Sequence, residues 1–138
     1  MEKTLEVGLT AKAEKTVKFE DTAKAVASGL AEVFATPMMI ALMECAAASA
    51  VQPYLEAGQS TVGVRIDAQH IAATPVGFKV WTEAVLTAVE GRKLNFNIIA
   101  YDEKEKIGEA QHTRMIVDDA RFMARAQAKA QAKAQDKP

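Results

Sequence analysis

Residues 36–55 read TPMMIALMECAAASAVQPYL, the least polar stretch of the chain, yet they carry one carboxylate, Glu44, in their middle. Between Pro37 and Pro53 the only other conventional polar residues are Ser49 and Gln52. A segment that is apolar on nearly every face reads as a helix surrounded by protein. Thr36 is a preferred N-cap residue and Pro37 fits the first helical position. Pro53, with the Gly58 loop behind it, ends the helix about four and a half turns later. Alanine and methionine dominate, so neighbouring elements can approach its backbone closely. Burying Glu44 ionised and alone would cost several kcal/mol, so the group must be paired, hydrogen-bonded, protonated or open to a wet pocket. Each of these outcomes makes it a candidate functional group.

Outward from this helix the periodicity changes to two. In residues 5–19 the apolar side chains fall at Leu5, Val7, Leu9, Ala11, Ala13, Val17 and Phe19, which predicts a strand, broken near Gly8. Residues 20–32, EDTAKAVASGLAE, fit a short helix or a cover segment. Beyond the helix, residues 60–70 alternate. Val62, Val64, Ile66, Ala68 and His70 are expected on one face, and Gly63, Arg65, Asp67 and Gln69 on the other. A turn at 72–77 leads into FKVWTEAVLTAVE, and Gly91, Arg92 and Lys93 reverse the chain. Leu94, Phe96, Ile98 and Ala100 then mark a further strand, residues 102–106 a charged turn, and residues 107–117 the last strand. Strand, buried helix and four antiparallel strands in a meander make an α+β arrangement, the hot-dog fold, with a sheet wrapped around a central helix. The open edge of such a small sheet is commonly closed by a second copy, so a homodimer or higher homo-oligomer is expected.

Asp118 and Asp119 can cap a final helix, and the alanine, glutamine and lysine pattern that follows favours helix but has little to bury. The expected organisation is one domain over residues 1–119 and a partly solvated helical tail over 120–138. A length of 138 residues and 49% hydrophobic composition suit one core. The formal net charge of -1, from 17 basic and 18 acidic residues, supplies no global field for nucleic acid or an anionic membrane. The apolar run after Thr36 is interrupted by Glu44 and too short to span a bilayer. MEKTLEV lacks the apolar core of a signal peptide. The single cysteine, Cys45, reads as a small core residue suited to a reducing compartment, and the expected location is cytoplasmic.

The residues placed for chemistry are Thr36, Glu44 and His70. A histidine on an apolar strand face and a glutamate inside an apolar helix stand where burial perturbs ionisation. Plain alternatives exist for each: an N-cap for Thr36, a hydrogen-bonded core histidine for His70, an ion pair for Glu44. Arg65 and Arg114 could meet a phosphate, although a charge on a solvated strand face is the commoner reading. The polar residues Gly108, Glu109, Gln111, His112 and Arg114 suggest an edge or an interface. His70 and His112 lack the spacing of a helical zinc motif and Cys45 stands alone, so no metal and no cofactor are expected.

The segments EVFATPMMIALMECAAASAVQPYLEAGQSTVG and VRIDAQHIAATPVG resemble the fluoroacetyl-CoA thioesterase family of hot-dog proteins, and the likeness runs over about residues 32–117. The resemblance implies that Thr36, Glu44 and His70 form a catalytic set and that Gly63 lies beside the reacting thioester; Arg114, as a possible phosphate ligand, is the further candidate for substrate binding. The implied substrate is an acyl-CoA. The family's fluoroacetyl-specific enzyme has an extended, phenylalanine-bearing cover before the helix, whereas residues 20–32 here are shorter and without aromatics. The expectation is therefore a thioesterase of small acyl-CoAs in general. The alternatives are a non-catalytic acyl-CoA-binding protein and a structural dimer module. The aspartate and histidine pair of the hydratase branch is absent around Asp67 and His70.

Overall fold

The computed structural model describes residues 4–135. In chain order the elements are β1 (Thr10–Thr16), α1 (Thr36–Val51), β2 (Gln59–His70), β3 (Lys79–Glu90), β4 (Lys93–Asp102), β5 (Lys106–Asp118) and α2 (Asp119–Gln135). The strands form one five-stranded antiparallel sheet in the order β1-β3-β4-β5-β2, with α1 against one face. This is the expected α+β hot-dog arrangement.

The core follows from the two periodicities. Met39, Met43, Ala46, Ala47, Ala50 and Val51 form the buried side of α1. Val80, Ala84 and Leu86 of β3, Leu94, Phe96, Ile98 and Ala100 of β4, and Ile107, Ala110 and Ile116 of β5 complete it. Each large side chain among them contributes about 1.5–3 kcal/mol by leaving water. Thr82 on β3 donates its hydroxyl to the Leu42 carbonyl at 2.9 Å, tying the sheet to the helix backbone. In the tight turn between β4 and β5, Asp102 accepts the Thr74 hydroxyl at 2.7 Å and the backbone N–H groups of Lys104 and Glu105 at 2.8 and 3.0 Å. Burial alone would raise its pKa; these hydrogen bonds outweigh that and hold it below the usual carboxylate value.

Several expectations are corrected. The first strand covers Thr10–Thr16 only, and Gly8, at φ 103°, takes a conformation that few residues other than glycine adopt. Within residues 20–32 there is no α-helix. A short 3-10 turn at Phe19–Asp21 and further turns make a cover, closed by a bridge between Thr22 and Phe34. The last four strands are not a simple meander. β3, β4 and β5 are, but β2 pairs with β5, so residues between β2 and β3 cross the sheet. The last strand is consequently interior, and β1 and β2 are the edges. Cys45 is exposed, because Pro37, Ala41, Cys45 and Ser49 follow one another at intervals of four along the side of α1 turned from the core. Within one chain, α1 is thus covered on one side only.

The most consequential correction lies in β2. Its pairing with β5 shifts between Gly63 and Arg65, leaving Val64 as an inserted residue. An extra residue reverses which side chains face the helix. Before the bulge Thr61 and Gly63 face α1; after it Ile66, Ala68 and His70 do. Val62 and Val64 therefore do not share a face with His70, and Val64 is exposed.

The expected tail helix is present as α2, with Asp118 accepting the Arg121 N–H at 2.9 Å at its start and all its residues exposed. The last three residues of the expected tail lie outside the described ones.

Candidate active site

Two clusters are built along α1, about 12 Å apart at 1.5 Å per residue. The first is at its start. Ala35, not Thr36, is the N-cap residue, and Thr36 is the first helical residue. The Thr36 hydroxyl is thereby released from capping and shares a 2.8 Å hydrogen bond with His70 Nδ1 at the end of β2. Burial lowers the His70 pKa below the ordinary histidine value, and the polar backbone of Ala72 opposes this only in part. The imidazole is therefore neutral at neutral pH and available as a base. Its Nε2 is buried and makes no hydrogen bond of ordinary geometry to the described residues. Phe34 meets the ring edge-on at 6.4 Å. The pair opens on a cavity of about 290 Å³ whose wall includes Ala23, Ser28, Val33 and Ala72.

Few amides at this helix end are open to an anion. Pro37 has no N–H, and those of Met38 and Met39 both reach the Ala35 carbonyl at 3.0 Å. Ala35 donates to the Asp21 carbonyl at 2.9 Å, which leaves the Thr36 N–H nearest the hydroxyl.

The second cluster surrounds Glu44, two turns further along. Its carboxylate, with 41% of the side chain exposed, accepts from Arg114 Nη1 at 3.0 Å. Arg114 is only 7% exposed. Its Nε donates to the Thr61 hydroxyl at 2.8 Å and its Nη2 to the Thr61 carbonyl at 2.9 Å. His112, 3% exposed, sits 3.1 Å from Arg114 Nη1 through its Nε2. Gly63 lies over Glu44; a β-carbon there would collide with Oε2 and come within 3.2 Å of His112.

The structure thus brings Thr36 and His70 together, and Gly63, Glu44 and Arg114 together, but keeps the two groups apart within one chain. Arg114 is no solvated surface charge, and Arg65 is exposed. His112 was not among the expected site residues. Gly108, Ala110, His112, Arg114 and Ile116 share one parity in β5, and the apolar Ala110 and Ile116 are the signal that this parity faces the helix.

A model of the fluoroacetyl-CoA-specific thioesterase family matches residues 17–120. A fluoroacetyl-CoA thioesterase of Streptantibioticus cattleyicolor is 43% identical over 94 residues, 68% of each chain. A crystal structure of a mutant of the fluoroacetyl-CoA-specific thioesterase FlK is similar with a TM-score of 0.87 and 34% identity, over 93% of this chain and 99% of that one. A thioesterase superfamily member from Thermus thermophilus reaches a TM-score of 0.88 at 26% identity, over 95% and 97% of the two chains. By the span of the family model, and by the agreement of sequence and fold over most of its length, this chain belongs to the fluoroacetyl-CoA-specific thioesterase family.

Proposed function

We propose that the protein hydrolyses the thioester of a small acyl-CoA, with Thr36 and His70 as nucleophile and base and Glu44 as the carboxylate that activates water. The observation that carries this reading is the hydrogen bond between the Thr36 hydroxyl and His70 Nδ1, at the 2.8 Å expected of an activated nucleophile, beside a cavity sized for a short acyl group. The Thr36 oxygen attacks the carbonyl carbon and passes its proton to Nδ1. The Thr36 amide lies at the positive end of α1, where it can stabilise the oxyanion. CoA then leaves as thiol with the proton held by His70. Water, deprotonated by Glu44, attacks the Thr36 ester; the Thr36 oxygen leaves and takes that proton back, which restores both the hydroxyl and the carboxylate as the free acid departs. Gly63 gives the thioester room beside Glu44, and Arg114 acts on the substrate through the carboxylate it orients.

Because Thr36 and Glu44 are about 12 Å apart on one helix, we further propose that the working unit is a homodimer in which each site takes residues from both copies. The open edge of β2 and the uncovered side of α1 around Ala41 and Cys45 support this assembly. An exposed thiol suits the reducing cytoplasm.

The test is release of free thiol from a panel of short acyl-CoAs, with rapid-quench detection of an acyl group on the enzyme. Hydrolysis with label on Thr36 is expected. Acyl-CoA binding without thiol release, unchanged by Glu44→Gln, would instead identify a non-catalytic acyl-CoA-binding protein.

A further inference from the structure

The Glu44 cluster contains a group to which the proposed chemistry gives no task. His112 is almost wholly buried, yet both ring nitrogens are engaged. Nδ1 lies 2.7 Å from the Arg65 carbonyl, and a carbonyl only accepts, so Nδ1 carries the proton. In the neutral ring Nε2 is then an acceptor, and it faces Arg114 Nη1 at 3.1 Å. Nη1 has two hydrogens, one for His112 and one for Glu44 Oε2. With Nε and Nη2 both committed to Thr61, the planar guanidinium is fixed at three corners and the second Nη1 hydrogen is aimed at the carboxylate. The Arg65 carbonyl that starts this relay comes from the residue directly after the bulge.

We propose that His112 is a positioning residue for Glu44: its Nδ1–H tautomer, locked by the Arg65 carbonyl, presents Nε2 as the acceptor that aligns Arg114 and thereby aims the carboxylate. The inference rests on the reading of Glu44 as a reacting group. A protonated His112 would turn a second donor toward Nη1, and its Nε2–H would compete with Arg114 for Glu44 Oε2, 3.9 Å away. The charged groups around it are Glu44 from α1, the Arg65 side chain of β2, Lys93 of β4 in the adjoining cleft and Arg114 of β5; Phe96 of β4 packs on the ring at 6.2 Å. Burial first, then the Arg114 charge, keep the imidazole neutral against the opposing pull of the Arg65 carbonyl and Glu44.

Two measurements test the proposal. In nitrogen-15 NMR of the intact protein at neutral pH, His112 is expected as the Nδ1–H tautomer. Observation of the Nε2–H tautomer or the cation overturns the proposal whatever the protein's activity. In kinetics, His112→Asn keeps a donor for Arg65 at the place of Nδ1, but its side chain is too short to put an acceptor at the place of Nε2, and it is expected to lower kcat on the order of 100-fold, with KM changed by less than about threefold. His112→Gln, which restores an acceptor, is expected to recover most of that loss. In a Glu44→Gln background, His112→Asn is expected to cost less than about twofold, because the group it aims is already altered. Equal losses with and without the Glu44 carboxylate would show a merely structural residue and overturn the proposal. Absence of any thioesterase activity in the parent protein would count against the reading of the site and leave the NMR result to decide the tautomer.

Discussion

Glu44 Oε2 comes closer to the backbone of Gly63 than any side chain at position 63 would permit. The obstructing atom is the tip of a flexible side chain, not backbone. Gly63→Ala is therefore expected to fold with a thermal midpoint within a few degrees of the parent, while the new methyl drives the carboxylate from Arg114 and from the substrate. A fall in kcat/KM of about 100-fold is expected. Steady-state kinetics beside a melting curve checks it; an active Gly63→Ala protein would remove Glu44 from the reacting position.

The Thr36 and His70 pair makes an acid-side prediction. The folded-state pKa of His70 is lowered, so the base is neutral above the ordinary histidine value of about 6.5 and is lost only as pH falls through the lower, folded value. The acid limb of kcat/KM is expected below pH ~6.5 and is to be measured over pH 4–8. Thr36→Ala is expected to reduce turnover at least 100-fold at every pH, while Thr36→Ser keeps a hydroxyl and a measurable rate.

Stability should show the same sign. His70 and His112 both have lowered values, so the unfolded chain binds protons more readily than the native one below pH ~6.5. The stability measured at neutral pH is expected to decline as pH drops through the window between that value and the folded ones. Urea titrations at pH 7.5 and 5.5 measure it, and a His112→Gln protein should lose part of the slope.

Asp102 gives a second acid-sensitive element, further down the scale. Its pKa is depressed, so its contribution is present above the unfolded carboxylate value and disappears as pH falls toward the folded one. Asp102→Ala leaves the Thr74 hydroxyl and two turn amides without their acceptor, at a cost of ~1–3 kcal/mol. Calorimetry at pH 7 is expected to show a midpoint lowered by ~3–10 °C, with little change in the activity of the folded fraction.

The shared-site dimer is tested by mixing Thr36→Ala and Glu44→Ala proteins under subunit exchange. Each parent is expected to be inactive. A heterodimer should hold one complete site, so partial recovery of hydrolysis is expected. Confirmed heterodimers without recovery, or a monomer with the full rate, would rule out the shared site and leave the thioesterase reading standing.

Much of the fold was legible because burial is written into period. Leu94, Phe96, Ile98 and Ala100 alternate and are buried, and α1 lies close to its two prolines. Thr36, Glu44 and His70 were legible as candidates because each is a polar group set in an apolar context. Three things were not. Val62, Val64 and Ile66 continue an unbroken alternation, so the bulge that turns Gly63 toward Glu44 has no local signature; pairing with β5 imposes it. Strand order was hidden, since alternation says which face a residue takes and not which neighbour its strand finds. His112 sits among polar residues on both faces of β5, and only its parity with Ala110 and Ile116 points inward; Arg114 stood out as a possible phosphate ligand, but not its burial against Glu44.

The extra residue in β2 also makes that strand sensitive to length in a way unlike any substitution. With Val64 in place, Gly63 and His70 look the same way although their numbers differ in parity, so one edge serves both the start and the middle of α1. Removing a single residue there would restore a regular pleat and force a choice: either the glycine that makes room for the carboxylate or the imidazole that shares a hydrogen bond with the Thr36 hydroxyl would swing to the far side of the sheet. Exchanging exposed Val64 for another residue should be tolerated, and deleting it should not. The count of residues between Gly63 and His70, more than their chemistry, is then what variation in this strand has to respect.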